Sequence, residues 1–187
     1  MLAFAGLWGP AYLAARFGLT PARAAGVDSV MLLAFAVASP LMGYLSDRMG
    51  ARKPIYLASA GVAAASWAAM FLWGRLGLAA FTVLAALASL AASCCLLGFA
   101  FGKESVPERH LGAVTGLMNI GNMLGVMLLQ PAIGWMLDRL WTGQMAHGAR
   151  LYSAGAFRTA FVLAVAWALA SVVLLAFTRE THCRQMA

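Results

Sequence analysis

Charged side chains are scarce in this sequence of 187 residues, and acidic ones are the scarcest. Asp, Glu, Lys and Arg make up 10% of the residues and hydrophobic residues make up 63%, whereas soluble domains average about 25% and 45–50%. This composition excludes an ordinary soluble protein. The net charge of +7 does not indicate a nucleic-acid partner, because the basic residues are scattered singly between apolar runs. We interpret them as anchors near lipid head groups.

Motifs that carry enzyme chemistry are also absent. The sequence has no H-E-x-x-H metal motif, no glycine-rich phosphate loop and no serine elbow. The three histidines fall in predicted loops, and we interpret the three cysteines as free small hydrophobes, without a disulfide or a metal. We therefore predict no enzymatic activity, no catalytic residue, no metal and no cofactor.

No carboxylate is predicted at mid-membrane depth, where a proton relay would be expected. All six acidic residues fall in predicted loops or at the ends of predicted spans. They are Asp28, Asp47, Glu104, Glu108, Asp138 and Glu180. A proton relay across the membrane would therefore need a carboxylate from outside this chain.

The apolar runs predict a protein that crosses the membrane several times, because a spanning helix needs about 20 apolar residues. The first run reaches only about 21 Å, short of the roughly 30 Å hydrocarbon core, and Gly9-Pro10 interrupts it. The predicted fold is thus an all-α polytopic membrane protein with one short and five full spans. These spans are about 2–15, 26–45, 55–74, 78–101, 111–137 and 157–178.

The fifth span carries a polar stripe. At about 100° per residue its polar members fall within roughly an 80° arc, and they are Thr115, Asn119, Asn122 and Gln130. Several amides on one face exceed what helix packing needs, which favours a water-filled cavity. The glycine pair Gly121 and Gly125 is predicted on a different flank, as a groove for another helix.

A compact charged segment from Gly43 to Lys53 separates the second and third spans. Four charges of both signs cannot lie in hydrocarbon, so the segment predicts a tight hairpin at a membrane surface. Its spacing resembles the signature loop of the major facilitator superfamily of secondary transporters, G-x-x-x-D-R-x-G-R-R/K, with Ala51 in place of the usual first basic residue. The residues that carry this resemblance are Gly43, Asp47, Arg48, Gly50, Arg52 and Lys53.

The resemblance implies a fold and a site. The chain is similar to the C-terminal six helices of such a transporter, residues 1–187 forming one half-bundle whose N-terminal six-helix partner is missing. The first, second, fourth and fifth spans would face the cavity. Substrate-cavity candidates outside the polar stripe are Trp8, Tyr12, Ser89 and Ser93.

The resemblance also implies roles and a location. The Gly43 to Lys53 segment would act as a gate on the cytoplasmic side. Asp47 could pair with Arg48, Arg52 or Lys53 beside it or with the positive end of a neighbouring helix, and the resemblance favours a helix in the missing half. Lys and Arg divide almost evenly between the two sides, so this orientation comes from the family alone. The expected location is the plasma or inner membrane.

The expected function is secondary active transport of a small solute by alternating access, with the lipid bilayer and that solute as partners. The Gly121 to Gly125 stretch is similar to helices of nitrate and nitrite porters, and an organic anion or a sugar acid is an open alternative. Other functions that stay open are a truncated fragment, a non-transporting membrane subunit or receptor, and a polytopic membrane enzyme, which would need titratable groups converging at one membrane face.

Overall fold

Helices in a computed structural model of the chain, which describes residues 1–146 and 148–184, begin and end where the sequence supplies caps. The hydroxyl of Thr20 accepts the Arg23 N–H, and that of Ser153 accepts the Ala156 N–H. Gly50 ends a helix in the left-handed conformation that glycine adopts most readily. The helices are α1 (Gly9–Phe17), α2 (Pro21–Met49), α3 (Lys53–Leu72), α4 (Leu78–Ala92), α5 (Leu97–Glu104), α6 (Leu111–Arg139) and α7 (Ala154–Ala176).

These helices form six rods, of which the first is short. A π-helical turn, Phe4–Trp8, precedes α1, and the 3-10 segment Ser93–Leu96 joins α4 to α5 into one rod. Five of the helical rods in the described residues are long and apolar enough to cross a membrane. The predicted fold class, an all-α half-bundle of six helices with a short first helix, is confirmed. Two strands of two residues, β1 (Met145–Ala146) and β2 (Ala149–Arg150), pair in the α6–α7 connector.

Helix α2 is longer at both ends than the predicted span 26–45. Because Thr20 caps it and Pro21 occupies its first turn, α2 begins at Pro21, and Asp28 lies inside the helix. At the other end α2 continues to Met49. The charged segment is therefore mostly helical, and its non-helical part is only residues 50–52. We call the end of the bundle that carries residues 50–52 the loop face.

Aromatic rings fill the core of the half of the bundle opposite the loop face. Phe71 and Phe161 stack with ring centroids 4.5 Å apart, and Tyr12 lies 5.5 Å from each of them. The cluster is completed by Phe4, Trp67, Phe81 and Phe157. Lipid tails are as apolar as these rings, so their close packing, more than exclusion of water, holds the helices together. A smaller cluster around Ile55, Cys94 and Leu97 lies nearer the loop face.

Candidate functional site

Arg52 is the centre of an ionic cluster at the loop face. Its side chain is buried, with 8% of the residue exposed. Nη1 donates to Asp47 Oδ1 at 2.6 Å and to the Ser46 hydroxyl at 3.1 Å, at the end of α2. Nη2 and Nε donate to Glu104 Oε1 at 2.8 and 3.1 Å, at the end of α5. The Glu104 carboxylate, followed by that of Asp47, raises the pKa of Arg52 above its ordinary value against the opposing effect of burial.

The tail after α7 docks on the start of α3 through a pair of reciprocal caps. The carboxylate of Glu180 accepts the backbone N–H groups of Arg52 and Lys53, both at 2.8 Å. In the other direction, Lys53 Nζ donates to the carbonyls of Ala176 and Thr178 at the end of α7. A carboxylate at a helix start and a cation at a helix end both oppose the charge that the backbone leaves exposed there.

Glu180 is held as a carboxylate by backbone donors. Burial alone would raise its pKa, but the N–H groups of Arg52, His182, Lys53 and Thr181 outweigh burial and lower the pKa below its ordinary value. The hydroxyl of Thr181 also donates to the Glu104 carboxylate, which joins the tail to α5. We call the whole set the loop-face cluster, and its members are Ser46, Asp47, Arg52, Lys53, Glu104, Glu180 and Thr181.

Asp47 binds Arg52 within this chain, where Glu180 occupies the neighbouring helix start. The contact that the resemblance implies, between the Asp47 carboxylate and a helix start in another bundle, stays a prediction. The Asp47 side chain is 66% exposed, because only Oδ1 is engaged within the described residues. Arg48 points away and donates to the hydroxyl of Tyr44 on the helix surface. Gly43 lies inside α2 with open space around it.

The polar stripe of α6 runs along a helix face that is exposed at Asn119 and buried at Ile133. Thr115 and Ile133 lie about five turns apart and share a face, and Ile133 is fully buried. The hydroxyl of Thr115 donates to the Leu111 carbonyl of its own helix. Further along the helix, Asn119 is exposed and Asn122 half-buried. The backbone carbonyl of Gln130 accepts the indole N–H of Trp8 at 3.2 Å.

A cavity of about 460 Å³ opens beside this stripe, between α3, the 3-10 segment, α6 and α7. Asn122 lines it together with Gly121 and Gly125, so one amide of the stripe and the glycine pair border the same space. The Trp167 indole of α7 covers Gly125, with its nitrogen 3.3 Å from the position of a Cβ there. No atom outside α6 approaches the corresponding position of Gly121 within 4 Å.

Three of the predicted cavity residues lie in the interior of the half-bundle. Tyr12, Ser89 and Ser93 are each 0% exposed. The Tyr12 ring is part of the aromatic core, where its hydroxyl accepts from Arg16, and Ser93 donates to the Leu90 carbonyl of its own helix. These side chains fill the interior because α1 and α4 turn their small and aromatic faces toward their neighbours. Trp8 is half-buried, with its ring against Gly134 of α6.

A comparison with known families finds the Major Facilitator Superfamily along residues 1–185. The chain belongs to this superfamily. Two curated relatives are a probable nitrate/nitrite antiporter of Thermus thermophilus, 29% identical, and a lysosomal dipeptide transporter of Danio rerio, 31% identical. The matches cover 73% and 72% of this chain but 34% and 28% of those relatives, so the chain spans about a third of their length. No solved structure matches the sequence.

Sequence reasoning located the superfamily loop but missed the partners that hold it. Residues 52, 104 and 180 lie in separate parts of the chain, just before α3, at the end of α5 and in the tail after α7, and no local pattern connects them. It also missed Asp28, which is 7% exposed inside α2. The helix-start signal Thr20-Pro21 was the available clue, because a helix that begins there carries Asp28 two turns inside. Among the described residues, no three His, Cys, Asp or Glu side chains are grouped as a metal ion would need.

Removing the Arg52 charge is expected to destabilise the bundle strongly. Arg52→Gln leaves the Glu104 carboxylate, 13% exposed, without its cation, and breaking a buried ion pair costs on the order of 3 kcal/mol. SDS titration of the purified chain in mixed micelles measures the change. The matched control is Arg150→Gln, which breaks the exposed pair with Asp138 at the opposite end and is expected to leave stability unchanged. Equal effects of the two substitutions would contradict a central role for Arg52.

Acid is expected to loosen the tail through Glu180. Because folding lowers the pKa of this carboxyl, its stabilisation is complete above the pKa of the unfolded chain, about 4.3, and is lost as the pH falls through the folded value. Glu180→Gln should therefore unfold at a lower temperature than wild type at pH 7, with the difference shrinking below about pH 4.3. Glu108→Gln, at an exposed position, is the control. A difference that is constant across this range would show that Glu180 does not act through its charge.

Proposed function

We propose that this chain is the C-terminal half of a secondary transporter of the Major Facilitator Superfamily, and that the whole protein moves a small polar solute by alternating access. The solute would bind near the membrane midplane, between this half-bundle and an N-terminal bundle of six helices. The length of the curated relatives supports a second half, since this chain covers about a third of each. We place the loop face on the cytoplasmic side, in the plasma or inner membrane.

The observation that carries this proposal is the exposure of Asn119 on a membrane-spanning helix. Asn119 lies about 12 Å along α6 from Leu111, and its side chain is exposed in the described bundle. An amide that faces lipid without a hydrogen-bonding partner costs several kcal/mol. It therefore needs water or a second bundle beside it. Likewise, no residue in the most apolar stretch of α6 is buried within the described half-bundle.

The chemistry of the stripe supports an uncharged recognition surface. Asn119, Asn122 and Gln130 each offer two N–H donors and one carbonyl acceptor. The named solutes of the two relatives, nitrate or nitrite and a dipeptide, both present oxygen acceptors that such donors bind. We therefore propose a small polar solute with oxygen acceptors, bound through amide hydrogen bonds. Trp8 and Thr115 would border the same path.

Asp47 is proposed to act in the gate at the loop face. Arg52 holds one of its carboxylate oxygens, and the exposed remainder of the side chain is free to meet the second bundle when the cytoplasmic side closes. The contact would exist in one state and break in the other, so it biases the equilibrium between them. Gly43, Arg48, Gly50 and Lys53 would shape and support this gate.

Cysteine labelling tests the water path. In the full-length transporter, Asn119→Cys should react with a membrane-impermeant thiol reagent, because an exposed amide position on α6 faces water. Leu124→Cys, an exposed apolar position of the same helix, faces lipid and should stay unlabelled, with Cys94, Cys95 and Cys183 replaced in both. Labelling at Leu124 without labelling at Asn119 would mean that the Leu124 face of α6 meets water and the Asn119 face meets lipid. That result would exclude the proposed path.

Spin-label distances across the cytoplasmic mouth test the gate. Asp47→Asn keeps the side-chain volume and removes the charge, and should shift the full-length transporter toward the inward-open state. A tenfold shift in population corresponds to about 1.4 kcal/mol. Glu108→Gln removes another exposed carboxylate, in the connection before α6, and is the control. Identical distance distributions in wild type and Asp47→Asn would rule out a gating role and leave Asp47 a structural helix-end residue.

A further inference from the structure

Asp28 is a buried carboxyl that the transport proposal does not use. It lies on α2 about 10 Å from the helix start at Pro21, with 7% of the residue exposed. Its Oδ1 is fully buried and has no hydrogen-bonding partner within the described residues. The Ser89 hydroxyl is the other buried side-chain group there without a partner. Burying a hydroxyl without a partner costs far less than burying an ionised carboxylate, which has about four lone pairs to satisfy.

The first helix is packed directly on this carboxyl. A Cβ placed on Gly9 would lie 2.9 Å from Asp28 Oδ1 and 2.9 Å from the ring of Phe4, so only glycine permits this contact. Gly9 stands at the junction between the π-helical turn and α1. The next residue, Pro10, has no N–H, and the N–H of Gly9 donates to the Phe4 carbonyl, so neither residue donates to the Asp28 carboxyl.

No cation faces Asp28 from the elements that pack on α2. Helix α1 brings Tyr12 and Arg16, but the Arg16 guanidinium donates to the Tyr12 hydroxyl and to the carbonyls of Met70 and Leu76. Helix α4 carries no titratable residue, and the 3-10 segment carries the thiols of Cys94 and Cys95. On α2 itself, Arg23 is exposed. None of these groups forms an ion pair or hydrogen bond with Asp28 in the described chain.

We propose that Asp28 is a proton-binding site, which holds its proton while α1 lies against α2 and releases it when Gly9 moves away and water enters. An ionised carboxylate buried without a partner is far more costly than the neutral acid, so such a group is buried neutral. Binding of the proton and the position of α1 are then linked, and each biases the other. The inference goes beyond the proposed function, since it concerns this chain alone and requires no solute.

Infrared spectroscopy of the purified chain in lipid nanodiscs tests the site directly. The other five acidic residues are exposed or engaged by cations or backbone donors. At pH 7 we therefore expect one C=O band of a protonated carboxylic acid in wild type. Asp28→Asn, which matches the shape of the neutral acid, should remove that band completely. Asp138→Asn, at the exposed end of α6, should retain it. A wild-type spectrum without the band, or a band that persists in Asp28→Asn, overturns the proposal.

Two further measurements test the link to α1 and the identity of the bound cation. Gly9→Ala crowds the carboxyl and should weaken the band at pH 7 by letting water reach it. Gly26→Ala, on α2 where a Cβ meets open space, should leave it unchanged. An unchanged band in Gly9→Ala overturns the link to α1. Replacing choline by sodium at constant pH should have no effect, and loss of the band on adding sodium would overturn the proton assignment in favour of a metal cation.

Discussion

One buried guanidinium, that of Arg52, connects helix ends that are far apart in the sequence. It binds Asp47 and Ser46 on α2 and Glu104 on α5, while its backbone N–H, at the start of α3, binds Glu180 of the tail. A buried charge is tolerated only where its partners are fixed around it. Arg52 therefore determines the geometry of the loop face. The end of α2, the end of α5 and the docked tail each supply a hydrogen-bonding partner to this residue.

Different interactions hold the two ends of the half-bundle together. At the loop face, charges and capped helix ends join α2, α3, α5 and α7, and at the opposite end stacked aromatic rings join α1, α3, α4 and α7. Helix α6 is held less firmly, since its most apolar stretch buries no residue in the described bundle. The half-bundle is thus well packed at its two ends and leaves one face of α6 uncovered. This arrangement suits a transporter half that moves as a unit against a partner bundle.

The local features of this fold follow from the sequence, whereas its long-range contacts do not. Hydropathy and the helix-start signal Thr20-Pro21 predict the helices. The charged segment from Gly43 to Lys53 predicts a hairpin, of which only residues 50–52 are non-helical. The burial of Tyr12 in the aromatic core depends on α3 and α7, which no periodicity within α1 reveals. Asp28 lies deeper in the bundle than predicted. Hydropathy places it near the end of a span, but the cap at Thr20 starts α2 seven residues before it.

The central claim is that Arg52 makes the loop face one cooperative unit, and hydrogen–deuterium exchange of the purified chain in nanodiscs tests it most directly. In Arg52→Gln we expect faster exchange of backbone amides at the ends of α2, α5 and α7 and at the start of α3, all increasing together, because local stability is shared within such units. Amides of the aromatic core should exchange at the wild-type rate. Faster exchange confined to residues 46–53, with the ends of α5 and α7 unchanged, would contradict the claim.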